Sequence, residues 1–110
     1  MDNGVIPWES NGDGTAVGKS GELGSTQLMP GTAQNMAAKL GLPYRPDLLQ
    51  SNDPGAKAYQ RALGMAYLQE GYQKTGTPYG ALRYYNGGPN FASRPATDSY
   101  ARNVLAKAGF

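Results

Sequence analysis

Proline and glycine divide this chain into short segments that can form helices, and this division limits the fold more than any other sequence feature. A proline suits the first turn of an α-helix, because the N–H that it lacks would have no partner there. A glycine just beyond the last turn is a common stop, and Thr or Asp side chains cap helix starts. Predicted starts lie at Pro30, Asp53-Pro54, Thr77-Pro78 and Thr97 or Asp98, and predicted stops lie at Gly41, Gly71 or Gly76, Gly87-Gly88-Pro89 and Gly109.

Apolar residues between these boundaries recur at helical spacing, as in Ala33, Met36 and Ala37. No run alternates between apolar and polar residues, as a half-buried strand would. The chain has 110 residues, of which 39% are hydrophobic, so a single small core can form. We therefore expect one domain over residues 1–110, a mainly α bundle of short helices with little or no sheet.

The beginning of the chain is predicted to be less regular. Residues 1–10 are interpreted as the end of a helix or as an irregular segment, because Pro7 is expected to block a regular helix interior. Residues 11–24 form what we call the glycine-rich loop. This loop is either a flexible surface segment or a wall that lets a polymer approach the backbone closely.

The composition removes several classes of function. The chain has no histidine and no cysteine, which excludes a Ser-His triad, a zinc site built on histidine and Cys-His chemistry. Its net charge of +2 comes from scattered Lys and Arg residues, so no nucleic-acid partner is expected. We also expect no membrane span and no secretory signal peptide in this chain.

Several short motifs follow one another in an order that resembles the lysozyme-like lytic transglycosylases of the SLT type. That family reads Glu-Ser, then Gly-Ala-x-Gly-Leu-Met-Gln, Gly-x-x-Tyr-Leu and Tyr-Asn-Ala-Gly-Pro. The corresponding segments are Glu9-Ser10, Gly21-Glu22-Leu23-Gly24-Ser25-Thr26-Gln27, Gly64-Met65-Ala66-Tyr67-Leu68 and Tyr85-Asn86-Gly87-Gly88-Pro89. The resemblance covers essentially the whole chain and implies a lysozyme-like helical fold and cleavage of peptidoglycan glycan strands.

Glu9 is the candidate catalytic residue. Cleavage of a glycosidic bond requires a proton for the leaving oxygen, and a partly desolvated glutamic acid can supply it. Most glycosidases use a second carboxylate, but a substrate acetamido group can replace it. Peptidoglycan carries acetamido groups, so one glutamate suffices, and we expect neither a metal ion nor a cofactor.

The resemblance also implies roles for other residues. Ser10 would support the site beside Glu9, and Gly24, Gln27 and Met29 would border or contact the sugars. Tyr67, Tyr85 and Asn86 are assigned to substrate binding, the two tyrosines at the acetamido end of the cleft. Simpler interpretations stay open: Met29 could fill core volume, Tyr67 could be mainly structural, and Asn86 could hydrogen-bond its own turn.

The chain also departs from the family pattern. Ser25-Thr26 replaces Leu-Met, which suggests a more polar wall beside the substrate. The family's full helix before the glutamate is not evident, so either a longer parent protein or a partner subunit supplies it, or it is absent and Glu9 is poorly anchored. The small size, the expected lack of a signal peptide and the abbreviated start favour a phage-associated enzyme that acts on the cell wall, in the periplasm or from a phage particle. A hydrolysing lysozyme and a non-catalytic glycan-binding or structural module are the alternatives.

Overall fold

The first element of the computed structural model, which describes residues 1–109, is a short helix, α1 (Val5–Ser10). Pro7 is the third residue of this helix, where an N–H would have no intrahelical acceptor, so the proline is tolerated. Of the two interpretations of residues 1–10, the helical one is correct for Val5–Ser10, because Pro7 lies in the first turn and not in a helix interior. Asn11 ends α1 in the left-handed conformation, with φ 55°, and its N–H donates to the Pro7 carbonyl at 3.2 Å.

Helices α2 (Pro30–Leu40) and α3 (Pro54–Thr75) begin and end at the predicted signals. Gly41 follows α2 with φ 71°, and Gly76 follows α3 with φ 79°, a conformation that glycine adopts without steric strain. A short 3-10 helix, Pro46–Leu49, lies between the two α-helices.

Helix α4 (Pro78–Gly87) also starts as predicted. The Thr77 side chain accepts a hydrogen bond from the Gly80 N–H at 2.9 Å, which satisfies one of the N–H groups at the helix start. A 3-10 helix, Gly88–Ser93, follows at once.

The final helix, α5 (Ala96–Lys107), begins earlier than the sequence predicted, and its N-cap residue is Pro95. The prediction that Thr97 or Asp98 caps it was wrong. The Thr97 side chain is buried, and its hydroxyl donates to the Arg94 carbonyl at 2.7 Å. This contact holds Thr97 inside the first turn of the helix instead of before it.

The protein is mainly α, as predicted. Within residues 1–109, β-pairing is limited to isolated bridges from Leu23 to Val17 and from Leu23 to Leu28. These bridges fold the glycine-rich loop and the segment after it against each other. Short helices joined by turns are the expected result of frequent Pro and Gly.

The chain divides into two compact units, Met1–Ala66 and Tyr67–Phe110, and the division falls within α3. The first, the N-terminal unit, buries Val5, Leu28 and Leu63 among other apolar side chains. The second, the C-terminal unit, contains α4 and α5. None of the helices in residues 1–109 combines the length and the apolar character needed to cross a bilayer.

Candidate active site

Glu9 lies in the last turn of α1, in the N-terminal unit. Its side chain is half-buried, so part of it is removed from water while part stays accessible to a ligand. A general acid benefits from this combination, because it must reach its substrate and must also hold a proton. The position is compatible with the role that the sequence predicts.

Ser10, the neighbour of Glu9, is fixed by contacts within the protein. Its hydroxyl donates to the Ser25 carbonyl at 2.7 Å and accepts from the Gly12 N–H at 3.1 Å. The Ile6 carbonyl lies farther away, at 3.3 Å, and the single hydroxyl proton favours the shorter contact. Ser10 thus ties the end of α1 to the segment that begins at Ser25.

Gln27 has an unusual backbone and a fixed side chain. Its φ of 53° is left-handed, which is uncommon for a residue other than glycine and which clusters at functional sites. Its amide nitrogen donates to the Gly24 carbonyl at 2.8 Å and to the Ala16 carbonyl at 3.1 Å. Both N–H groups are therefore used within the loop, and the amide oxygen Oε1 is the part of Gln27 left to accept a bond from a ligand.

Gly24 and Met29 have different surroundings. Gly24 is buried with φ 79°, and a Cβ there would lie 2.6 Å from the Leu49 carbonyl oxygen. The packing of the protein itself therefore requires glycine at this position. Met29 precedes α2 and is 44% exposed, so it does not fill core volume. An exposed, flexible methionine can contact a ligand.

Ser25 and Thr26 do not form a polar wall. Both are buried, with exposures of 2% and 1%, and they face α3. The Ser25 hydroxyl donates to Gln60 Oε1 at 2.8 Å, and the Thr26 hydroxyl donates to the Gln60 carbonyl at 3.3 Å. Two hydroxyl-bearing residues in place of Leu-Met therefore change the interior of the N-terminal unit, where they bond to the same residue.

The C-terminal unit holds a cluster of tyrosines. The ring centroids of Tyr84 and Tyr85 each lie 5.4 Å from that of Tyr67. The Tyr84 hydroxyl donates to Glu70 Oε2 at 2.5 Å.

Burial, together with the nearby Glu70 carboxylate, raises the pKa of Tyr67 above its ordinary value. Burial and the hydrogen bond to Glu70 likewise raise the pKa of Tyr84. Both phenols stay protonated near neutral pH and can donate hydrogen bonds.

The Tyr-Asn-Gly-Gly-Pro turn lies next to this cluster. Asn86 is exposed in the last turn of α4. Gly88 follows with φ 72°, and a Cβ at that position would lie 3.7 Å from the Tyr67 hydroxyl. The structure thus brings Tyr67, Tyr85 and this turn together within the C-terminal unit.

Gln60 is a residue that the sequence analysis missed. It is 1% exposed and lies on the buried face of α3 together with Ala56 and Leu63. The signal in the sequence was a polar residue on a helix face whose other residues are apolar. Such a residue is buried with them, and its amide must then find hydrogen-bond partners. No group of three or more His, Cys, Asp or Glu side chains in residues 1–109 is placed to hold a metal ion.

Comparison with known families agrees with the sequence motifs. The model of the transglycosylase SLT domain matches residues 3–105, a range that contains Glu9 and the Tyr-Asn-Gly-Gly-Pro turn. No curated protein matches the chain as a relative. The family match covers nearly all of the chain and confirms the resemblance. The chain therefore belongs to the transglycosylase SLT domain family, the lysozyme-like lytic transglycosylases that act on the peptidoglycan of the cell wall.

Proposed function

We propose that the chain cleaves the β-1,4 bond between N-acetylmuramic acid and N-acetylglucosamine, with Glu9 as its acid and base. The product would carry a 1,6-anhydro end. The observation that carries this proposal is the half-buried Glu9 at the end of α1, next to a serine bonded to the Ser25 carbonyl at 2.7 Å. The family resemblance implies that this glutamate is the catalytic one, and it lies within the range that the SLT domain model matches.

The chemistry requires one carboxyl group that changes its protonation state. Glu9 first donates its proton to the oxygen that links the two sugars, and the acetamido oxygen of the muramic residue closes on C1 as the bond breaks. The Glu9 carboxylate then takes the proton of the C6 hydroxyl, and that oxygen attacks C1. The acetamido group is released, and the ring closes as the anhydro product.

The other residues would bind the glycan. Gln27 Oε1 would accept a hydrogen bond from a sugar hydroxyl or acetamido N–H, since its N–H groups donate to Ala16 and Gly24. Met29 would contact a sugar face with its exposed side chain. Tyr67 and Tyr85 would contact the acetamido groups, as the family resemblance implies, and Asn86 would contact a sugar. Location in a phage particle and docking to a longer protein remain predictions.

The first test is Glu9→Gln. An amide can neither donate the proton nor take it back, so we expect cleavage to fall on the order of 10² to 10⁴-fold. Release of muropeptides from purified cell walls measures the activity, and circular dichroism verifies the fold. The matched control is Asp47→Asn, which removes a carboxylate from a surface ion pair with Arg45 and should cleave as the wild type does.

Mass spectrometry of the products separates the proposal from its alternatives. Anhydro muramic ends support the transglycosylase, whereas reducing ends would identify a hydrolysing lysozyme. Absence of fragments from the wild type would indicate a binding module. Cleavage by the Glu9→Gln variant at the wild-type rate would contradict the assignment of Glu9.

A further inference from the structure

Gln60 joins three separate segments of the N-terminal unit through one buried amide. Its nitrogen Nε2 lies 3.1 Å from the Gly14 carbonyl oxygen, 2.9 Å from that of Leu48 and 3.2 Å from that of Ser51. Its oxygen Oε1 accepts from both the N–H and the hydroxyl of Ser25, each at 2.8 Å. Carbonyl oxygens surround the amide nitrogen, and N–H and O–H donors face the amide oxygen, so the orientation of the amide is fixed.

These contacts form a continuous path from α3 to the helix that carries Glu9. Gln60 holds Ser25 by two hydrogen bonds, and the Ser25 carbonyl accepts the Ser10 hydroxyl at 2.7 Å. Ser10 is the last residue of α1 and directly follows Glu9. On the other side, Gln60 binds the carbonyl of Gly14, whose own N–H donates to the Asn52 side chain at 2.7 Å. The glycine-rich loop is therefore held at both of its ends.

We propose that Gln60 is a positioning residue for the reaction of Glu9. This inference rests on the proposed function, and it adds a residue that does not touch the substrate. Gln60 holds Ser25 so that Ser10, and with it the end of α1, keeps Glu9 in one place relative to the glycine-rich loop. A displacement of about 1 Å at a catalytic group can lower a rate on the order of 10²-fold.

An amide is suited to this task. An apolar residue of the same size could fill the space, but it could not make the hydrogen bonds that hold these segments together. The Gly14 and Ser51 carbonyls and the Ser25 N–H come from loops with no regular helix or sheet to orient them, and the Leu48 carbonyl comes from the short 3-10 helix. If Gln60 only filled the core, an apolar replacement would alter stability and leave turnover unchanged. If it positions Glu9, turnover falls even when the protein is folded.

The decisive experiment compares Gln60→Met with Leu63→Ala on soluble, uncrosslinked glycan strands. Met has a similar volume and no hydrogen bonds, whereas Leu63 is fully buried in the same helix and its truncation removes packing alone. At a temperature where circular dichroism shows both variants folded, we expect kcat of Gln60→Met to fall about 10 to 100-fold with a smaller change in KM. Leu63→Ala should lower the melting temperature and keep the wild-type kcat.

Equal kcat values for Gln60→Met and the wild type would overturn the inference while leaving the proposed function intact. A wild type that releases no product would instead refute the proposed function, and with it any positioning role. If Gln60→Met does not fold, Ser25→Ala replaces it, because it removes the hydroxyl bond to Gln60 and keeps the backbone bond. A several-fold loss of kcat in folded Ser25→Ala is expected, and an unchanged kcat would overturn the inference.

Discussion

Neighbouring tyrosines of the C-terminal unit share one cluster but are assigned different roles. Tyr84 and Tyr85 are both buried, and both rings pack on Tyr67. The Tyr84 hydroxyl is committed to Glu70, which is a structural hydrogen bond within the unit. The family resemblance assigns the Tyr85 hydroxyl to the acetamido group of the substrate. Two substitutions that each remove a single oxygen can therefore separate structure from function.

We expect Tyr85→Phe to lower turnover more than stability, since the lost hydroxyl would act on the substrate. Tyr84→Phe is the matched control, and it should lower the free energy of unfolding by about 1–3 kcal/mol because it leaves Glu70 without this partner. Its turnover should stay near the wild-type value. Thermal melts and muropeptide release measure the two effects. A lower melting temperature with unchanged turnover in Tyr85→Phe would assign that hydroxyl to the core.

At the scale of elements, the glycine-rich loop depends on contacts with α3 and with the 3-10 helix before it. Besides the isolated bridges at Leu23, turn hydrogen bonds such as that from the Gly24 N–H to the Ala16 carbonyl at 2.8 Å hold the loop, and the loop also requires close packing. Gly24 shows this requirement, because a Cβ there would lie 2.8 Å from the Gln60 side chain as well as close to the Leu49 carbonyl. At Gly24 the loop therefore packs so closely against neighbouring segments that no side chain can be accommodated.

Gly24→Ala should destabilise the protein more than Gly21→Ala. Both glycines have left-handed φ values, 79° and 94°, so both substitutions carry the strain of about 1–2 kcal/mol that a side chain meets in that conformation. A Cβ at Gly21 would have open space within 4 Å, whereas one at Gly24 would also collide with backbone. Chemical denaturation measures both variants. Equal losses of stability would show that the loop relaxes around the added methyl group.

At the scale of the whole molecule, charge affects both stability and encounter with the cell wall. A net charge of +2 attracts the protein weakly to anionic polymers. Several aspartates have pKa values below their ordinary value, each chiefly because of a side-chain hydrogen bond. The aspartates and their first partners are Asp2 with Arg61, Asp13 with Thr15, Asp47 with Arg45, and Asp98 with Tyr79.

These shifts predict a loss of stability in acid. A carboxyl group with a lowered pKa in the folded state stabilises that state above its unfolded value of 3.8, and the contribution is lost as pH falls through the folded value. The melting temperature should therefore fall between about pH 5 and pH 2. A variant with Asn at all these aspartates should show a smaller fall. An identical fall would mean that other groups cause the acid sensitivity.

Predictions that depend on interactions between residues close in sequence were correct, whereas features that depend on contacts between distant residues were not predicted. The bounds of α2 and the start of α4 were predictable, because Pro and Gly act on their own backbone and Thr77 caps its own helix. The cap of α5 was not, since the Thr97 side chain is buried and accepts a hydrogen bond from Arg83 of α4 at 2.9 Å. Glu9 could be named from its motif, but the partners of Ser10 could not.

The sequence by itself determined a mainly helical chain, the family and the identity of the candidate acid, because these depend on local backbone preferences and on short motifs. Only the tertiary structure decided that Gln60 joins Gly14, Ser25 and the segment Leu48 to Ser51 before α3. Helical spacing indicates which side of α3 is buried, but not which loops it meets. Those hydrogen bonds join residues far apart in the chain, and their partners exist only when the loops are packed together.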